Sequence, residues 1–363
     1  MVAGIPQLSR NQALIAAGVV AVVVIGGVTA FALSGSDKKK APVAQPPLTT
    51  ASSTSASPTP TPTPSATPKP APAAVNPLTG IGKPPTGPVI AVKIDDTGNG
   101  RPSVGLDRAD VIYIEQAEGG LTRMVAVFGT NKPVVEAVRS VRASDAELLS
   151  QYGPIVLVAS GGGGDSLVTL DRSIVKGVIN DRGGPGFFRD AGRPAPYNLA
   201  SNLAQVAAAV GKTGGSKNVG FSWSASDPRL AKAHTANTIN TVVGSTAVTF
   251  VWNPGLHRYV RTIGGAPLGT ADGAPVASPN VLVQLCRVTV NPADVDVDGN
   301  PSQFTYTVGS GRVVLFRNGK RIEGKWTRAT ANSPTRFTDL AGKPLLLAPG
   351  GAIVVLATSG APV

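Results

Sequence analysis

Thiol and imidazole are nearly missing from this chain of 363 residues, which has one cysteine, Cys286, and two histidines, His234 and His257. A lone thiol excludes an intramolecular disulfide framework, and so few soft donors exclude a thiolate or multi-histidine zinc site. Any metal would have to be a hard cation held by oxygens. Aromatic residues make up only 5% of the chain, too few for a groove of stacked bases. Acidic residues are also scarce, 21 against 33 lysines and arginines, for a net charge of +12. That balance excludes an acidic mimic or an acidic disordered solvator. The excess is uneven: residues 75–215 carry 14 bases and 13 acids, whereas 216–363 carry 14 and 7.

What is present begins with a short tail, 1–12, and an apolar run. Ala13 to Leu33 holds 21 residues without a charge, enough helix at ~1.5 Å per residue to cross about 30 Å of hydrocarbon. We read 13–34 as an uncleaved transmembrane anchor; a cleaved signal peptide is the alternative, with Ala30-Phe31-Ala32 as a small-x-small site. Lys38, Lys39 and Lys40 follow the run, which by the positive-inside rule would turn the C-terminus inward. The next segment argues the other way. Residues 35–74 form a Pro/Thr/Ser-rich disordered linker with ten prolines between 41 and 74, among them Pro58-Thr-Pro-Thr-Pro-Thr-Pro64. Such a stretch favours polyproline II and acts as a stiff spacer of up to ~100 Å at ~3.1 Å per residue. A stalk of that length suits a domain held out from the bilayer, so we expect the C-terminal part to be extracytoplasmic.

Beyond Val75 the pattern is that of a folded protein. Strands are expected at Val89–Ile94, Val111–Ile114, Leu121–Phe128 and Ile155–Val158, with a hairpin turn at Glu118-Gly119-Gly120. Helices are expected at Ser144–Tyr152 and at Leu199–Val210, the second capped by Asn198. The fold class that follows is α+β: a mixed α/β domain over 75–215, a connection over 216–245, and a smaller, mostly antiparallel all-β domain over 246–363. Within the latter, strands are expected at Val248–Trp252, His257–Thr262, Val281–Val290, Phe304–Val308, Arg312–Arg317, Lys320–Thr327 and Ile353–Ala357. Asn318-Gly319 calls for a two-residue type I′ turn. The register then follows: Arg317, Leu315 and Val313 face Lys320, Ile322 and Gly324 on a core-like side, and Phe316, Val314 and Arg312 face Arg321, Glu323 and Lys325 on a solvated one.

A family resemblance rests on ordered motifs. Ile90-Ala-Val-Lys-Ile-Asp95-Asp96, Arg101-Pro102, Gly105-Leu106, Ala109-Asp110, Glu118-Gly119-Gly120-Leu-Thr122-Arg123 and Val138-Arg139-Ser140-Val-Arg142 are followed by Tyr259-x-Arg261, Asn280-Val-Leu-Val-Gln284, Gly324-x-Trp326 and Thr335-Arg336-x-x-Asp339. Over roughly 76–358 the chain resembles the YerB-like lipoprotein family, envelope proteins of Gram-positive bacteria with two successive domains of unknown function. The resemblance implies a compartment and no particular activity. Two departures stand out. The lipid-bearing cysteine implied by the family's name gives way to the apolar run at 13–33, and Tyr197 stands where a histidine is expected.

Candidate ligand-binding residues are Asp95, Asp96, Arg101, Glu118, Arg123, Arg139 and Arg142, with Asp110 and Glu115 in the same stretch. Arginines can clamp a carboxylate or phosphate bidentately while the acids take hydroxyls; equally, the acids and arginines can neutralise one another as a loop-fixing network. Asp95 and Glu118 as a carboxylate pair would allow glycan hydrolysis. Ser160-Gly-Gly-Gly-Gly164-Asp165 could cradle an anion with backbone amides before a helix, but it lacks the Lys-Ser/Thr of a nucleotide loop and the G-x-S-x-G of a nucleophile elbow and is read as a flexible turn. Asp294-Val-Asp296-Val-Asp298-Gly299 resembles the start of a calcium loop but has Thr305 at position twelve, and is read as a strand ending in an Asp-Gly turn. Arg312, Arg321 and Lys325, with Arg328 and Arg336 nearby, form a basic face that could meet a polyanion or simply guard a sheet edge.

The expectation is a single-pass, extracytoplasmic envelope protein that binds a cell-wall polymer or another envelope protein without catalysis. No cofactor, metal or nucleic acid is called for. A cell-wall hydrolase using Asp95 and Glu118, and a structural spacer or assembly factor, are the alternatives.

Overall fold

A computed structural model describes residues 74–212, 217–296 and 298–363. The expected membrane span and nearly all of the linker lie outside the described residues. Among the described residues no helix is long and apolar enough to cross a membrane.

Eleven strands form one sheet. In chain order they are β1 (Ile90–Asp95), β2 (Val111–Gln116), β3 (Thr122–Phe128), β4 (Val156–Ala159), β5 (Lys176–Ile179), β6 (His234–Thr235), β7 (Asn280–Cys286), β8 (Gly309–Arg317), β9 (Lys320–Arg328), β10 (Arg336–Asp339) and β11 (Ala352–Thr358). Across the sheet the order is β6-β9-β8-β7-β11-β2-β3-β1-β4-β5, with β10 also paired to β9. β11 lies parallel to both β2 and β7. Strands from both expected domains therefore share a single hydrogen-bonded sheet, and the described residues form one compact unit.

The central strands β1, β2, β3, β7 and β11 are buried along nearly their whole length because both faces of the sheet are covered there. On one face Ile90, Val92, Ile112, Ile114, Val281, Phe316 and Val355 pack against Ile239, Val248, Phe250 and Tyr259 of a separate five-stranded sheet. On the other, Ala91, Tyr113, Val125, Leu282, Leu315 and Val354 pack with Leu148, Leu149 and Leu170. The last three residues belong to helices α1 (Ala143–Ser150) and α2 (Gly164–Asp171); a third helix, α3 (Leu203–Val210), packs by Leu203 and Val206 on the first face. The described residues are thus mostly sheet, with three α-helices.

Several expectations need correction. The stretch 199–210 is not one helix: Leu199–Asn202 is a strand paired with Val134–Glu136, and Asn202, not Asn198, caps α3 by accepting from the amides of Ala204 and Gln205. Val281–Val290 is interrupted at Arg287, after which Val288–Val295 pairs with Pro301–Thr305 as a hairpin of its own. The run after Ser160 is no free turn, since Gly164 opens α2. The β8/β9 register is as expected from Arg312↔Lys325 to Arg317↔Lys320, with Asn318 and Gly319 both at positive φ. Its supposedly solvated side is half wrong, because Val314 and Phe316 are buried beneath the five-stranded sheet.

Candidate functional site

The candidate residues converge because strand ends and one crossing segment meet. β1 ends at Asp95, whose register partner on β3 is Arg123, and the β2–β3 turn begins at Glu118. Gly119 and Gly120 carry positive φ in that turn, the conformation that made the Gly pair informative. Residues 137–142 then cross the end of the sheet between β1 and β4. The amide of Asp95 donates to the carbonyl of Ala137, Arg139 to Lys93, and Ser160 to Arg139, each within 2.9–3.0 Å. The crossing starts at Ala137, which takes φ +59°, a left-handed value costly for a residue with a Cβ. It ends at Arg142, whose amide donates to Asp145 Oδ2 at 2.7 Å and so starts α1.

Three guanidinium groups are thereby brought to one place. Arg123 and Arg142, 9% and 5% exposed, both hold Glu118: Arg123 Nη2 lies 3.3 Å from Oε2, and Arg142 Nε bonds Oε1. Arg139 pairs with Asp95 through Nε and Oδ2 at 3.3 Å and stacks 5.3 Å from the Tyr197 ring centre. That ion pair falls short of hydrogen-bond geometry, so among the described residues the buried Nε of Arg139 finds no hydrogen-bond acceptor. Burial, then the charges of Arg142 and Arg139, pull the Arg123 pKa down to about 10. Burial alone would raise Glu118, but the Arg142 hydrogen bond and the Arg123 and Arg142 charges outweigh it and hold its pKa at about 2. A carboxyl group so held is ionised at neutral pH and cannot act there as a general acid.

These residues line two adjoining clefts. One, of about 420 Å³, is bordered by Arg123, Arg139, Arg142, Ser160, Asp181, Arg189 and Asp296. The other, of about 230 Å³, shares Arg123, Arg139 and Asp296 and adds Asp95, Glu118 and Tyr197. Opposite charges are paired here and the cleft is also open, so the two sequence readings are not exclusive. Asp181, Arg189 and Ser160 were missed as site residues. Ser160 lies in the glycine run read as a flexible turn in preference to an anion cradle, and the other two sit on segments without a diagnostic pattern. Asp296 belongs to the stretch read as a strand and turn, and only the docking of the hairpin 288–305 brings it here. The buried Asp294 carboxylate anchors that hairpin, accepting from Ser166 of α2 and from Ser302.

Asp96 and Arg101 line neither cleft. Asp96 is buried and receives Arg261 bidentately, Nη1 to Oδ1 at 2.8 Å and Nη2 to Oδ2 at 2.6 Å, with Thr122 Oγ1 on Oδ2 at 2.6 Å. Arg101 donates to the Asp96 carbonyl. This group ties the N-terminal strands to the five-stranded sheet. Glu115 is likewise buried, bonded to Lys93, whose Nζ also reaches Asp145 Oδ1 at 2.8 Å.

The basic hairpin face is weaker than its sequence suggests. Arg312 Nε lies 3.0 Å from Glu323 Oε2 and Arg321 bonds Oε1 of the same residue, while Lys325 is exposed. Arg328 is not on this face at all; it is buried and donates to the Glu147 and Ala331 carbonyls.

Comparison with known proteins gives two successive matches, to the N-terminal domain of the protein of unknown function DUF3048 at residues 78–216 and to its C-terminal domain at 238–354. The chain is 25% identical over 246 residues to "Putative lipoprotein YerB" of Bacillus subtilis (strain 168), covering 65% of this chain and 72% of that protein. The crystal structure of the Bacillus subtilis YerB protein superposes with a TM-score of 0.65 at 20% identity, covering 78% of this chain and 96% of that one. With both of its domains matched in order, the chain belongs to the DUF3048 family.

Proposed function

We propose that this is a membrane-anchored, extracytoplasmic envelope protein that holds an anionic wall component in the arginine cleft without transforming it. The single observation that carries this reading is Arg139. It is half-buried at the junction of the two clefts, its one ion pair among the described residues lacks hydrogen-bond geometry, and it stands beside two arginines that already share a single carboxylate. A guanidinium so placed has a planar donor fork available for a carboxylate or phosphate. The engagement of both carboxylates by arginines, Asp95 by Arg139 and Glu118 by Arg123 and Arg142, counts against the alternative in which Asp95 and Glu118 hydrolyse a glycan. The placement draws on the apolar run 13–34, the linker 35–74 and the naming of the Bacillus subtilis relative as a lipoprotein. The ligand on this reading is a wall polymer or the acidic surface of another envelope protein.

The test is co-sedimentation of the detergent-solubilised full chain with purified wall sacculi at low and physiological salt. Binding that falls at least about tenfold in Arg139→Gln, with an unchanged melting temperature, is expected from the loss of one charge-assisted contact. Equal retention of both proteins would overturn the reading.

A further inference from the structure

The cleft is polarised, and its polarity narrows the ligand. At depth, Arg123, Arg139 and Arg142 have, among the described residues, Asp95 and Glu118 as their ion-pair partners, an excess of one positive charge. Beside them the sign reverses, since the exposed Arg189 is accompanied by the exposed Asp181 and by Asp296, which borders both clefts. A monoanion neutralises the deep end; a phosphate dianion overshoots it and faces these two carboxylates.

These two acids also state what the remainder of the ligand must offer. An ionised carboxylate only accepts hydrogen bonds, so a group placed against Asp181 and Asp296 has to bring donors. Asp181 is exposed and its hydrogen bond comes from neighbouring Asn180 at 3.1 Å, which leaves acceptor positions open. Tyr197 lies along the adjoining cleft with its ring beside Arg139, a flat face suited to the C–H side of a ring. A volume of about 420 Å³ falls in the usual range for small-molecule sites, ~300–1,000 Å³.

Resting on the anion-site reading above, we infer that the cleft takes a sugar that bears one carboxylate together with hydroxyl or acylamino donors: the carboxylate goes to Arg139 at the deep end, the donors to Asp181 and Asp296, and the ring lies along Tyr197.

Calorimetric titration of the full chain in detergent micelles tests this with five probes: N-acetylmuramic acid, N-acetylglucosamine, glycerol 3-phosphate, inorganic phosphate and alanyl-alanine. Saturable binding of N-acetylmuramic acid is expected, with N-acetylglucosamine, which lacks the carboxylate, at least about tenfold weaker. Asp181→Asn should weaken the acid sugar several-fold while its melting temperature stays that of the wild type. Asp296→Asn, which keeps one acceptor oxygen for its turn, gives a second readout of the same kind. Equal affinity for N-acetylglucosamine would overturn the inference. So would preference for either phosphate or for the dipeptide; in those cases loss of binding in Arg139→Gln would leave the anion site standing. Absence of binding by all five probes overturns the inference, and if sacculi also fail to bind, the wider reading falls with it.

Discussion

Lys93 sits in the middle of β1 with no access to water, and its ammonium is matched by Glu115 from β2 and Asp145 from α1. Two acids on one base cannot both ionise cheaply in a dry site. Burial, then the Asp145 charge, push the Glu115 pKa from 4.5 to about 8, while at Asp145 burial is outweighed by the Lys93 charge together with hydrogen bonds from Glu115, Lys93 and the Arg142 amide, and its pKa is lowered. Because the folded value of Glu115 lies above the unfolded one, folding takes up a proton between them. The stabilising contribution is complete below about pH 4.5 and is lost as pH rises through 8. Glu115→Gln, fixed in the neutral form, should flatten the fall of melting temperature between pH 5 and 9 and lead the wild type by at least ~2 °C at the upper end. An unchanged slope in the variant would contradict this assignment. Glu118 works in the opposite sense: its folded value of about 2 lies below 4.5, so its contribution is present above 4.5 and lost on acidification towards 2. The Asp96–Arg261 pair makes a separate demand. Asp96→Asn strands a buried guanidinium and should cost about 3–5 kcal/mol in urea unfolding, whereas Asp96→Leu with Arg261→Met should recover most of that loss. Sequence alone displayed Asp96 among neighbouring acids and arginines. Its true partner lies 165 positions away, a distance that no local pattern spans.

At the level of the element, legibility tracks how local the determining physics is. The β8/β9 register was readable residue by residue because Asn318 and Gly319 fix the turn by themselves. The faces of that hairpin were not, because what covers Val314 and Phe316 is a different sheet. Leu199–Val210 illustrates a competition between propensities. Its alanines favour helix throughout, yet Leu199–Asn202 is drawn into pairing with Val134–Glu136 and Phe187–Arg189, and the helix starts only where Asn202 can cap it. The crossing segment gives an element-scale test. Ala137 at φ +59° bears about 1–2 kcal/mol of strain, of which Gly would return part, offset by ~0.5–1 kcal/mol of chain entropy. Ala137→Gly should therefore leave thermal stability equal or slightly raised. Ala137→Val should lower it by more than ~2 kcal/mol, a β-branched side chain being least tolerated there. The reverse order of the two melting temperatures would show that the left-handed conformation at 137 is wrong.

For the whole molecule, the decisive strand is β11. Ile353-Val-Val-Leu356 reads as a fully buried strand from composition, but nothing in its neighbourhood tells that it slots between β2 and β7 rather than beside the antiparallel strands that precede it. Once there, it joins the C-terminal portion of the chain to the N-terminal portion by parallel hydrogen bonds along Val111–Ile114 on one side and Val281–Cys286 on the other. Further links cross the same divide: Glu147 Oε1 accepts from the amides of Thr307 and Val308 at 2.7 and 3.0 Å, and Gln151 accepts from Thr335 Oγ1 at 3.0 Å. A chain stopped after residue 216 would expose the edge of β2, a strand buried along nearly its whole length, together with the apolar face that meets the five-stranded sheet. Such an edge pairs with other chains when it lacks its partner. Expressed alone, 74–216 should be aggregated or quickly degraded by protease, and so should 217–363. Expressed together as two polypeptides they should co-purify as a one-to-one complex that melts cooperatively. Recovery of either piece as a stable, dispersed monomer with native amide-exchange protection would mean that the two family domains are joined only by proximity, and that the cleft, which takes Arg123, Arg139 and Arg142 from one piece and Asp296 from the other, is not held rigidly by the fold.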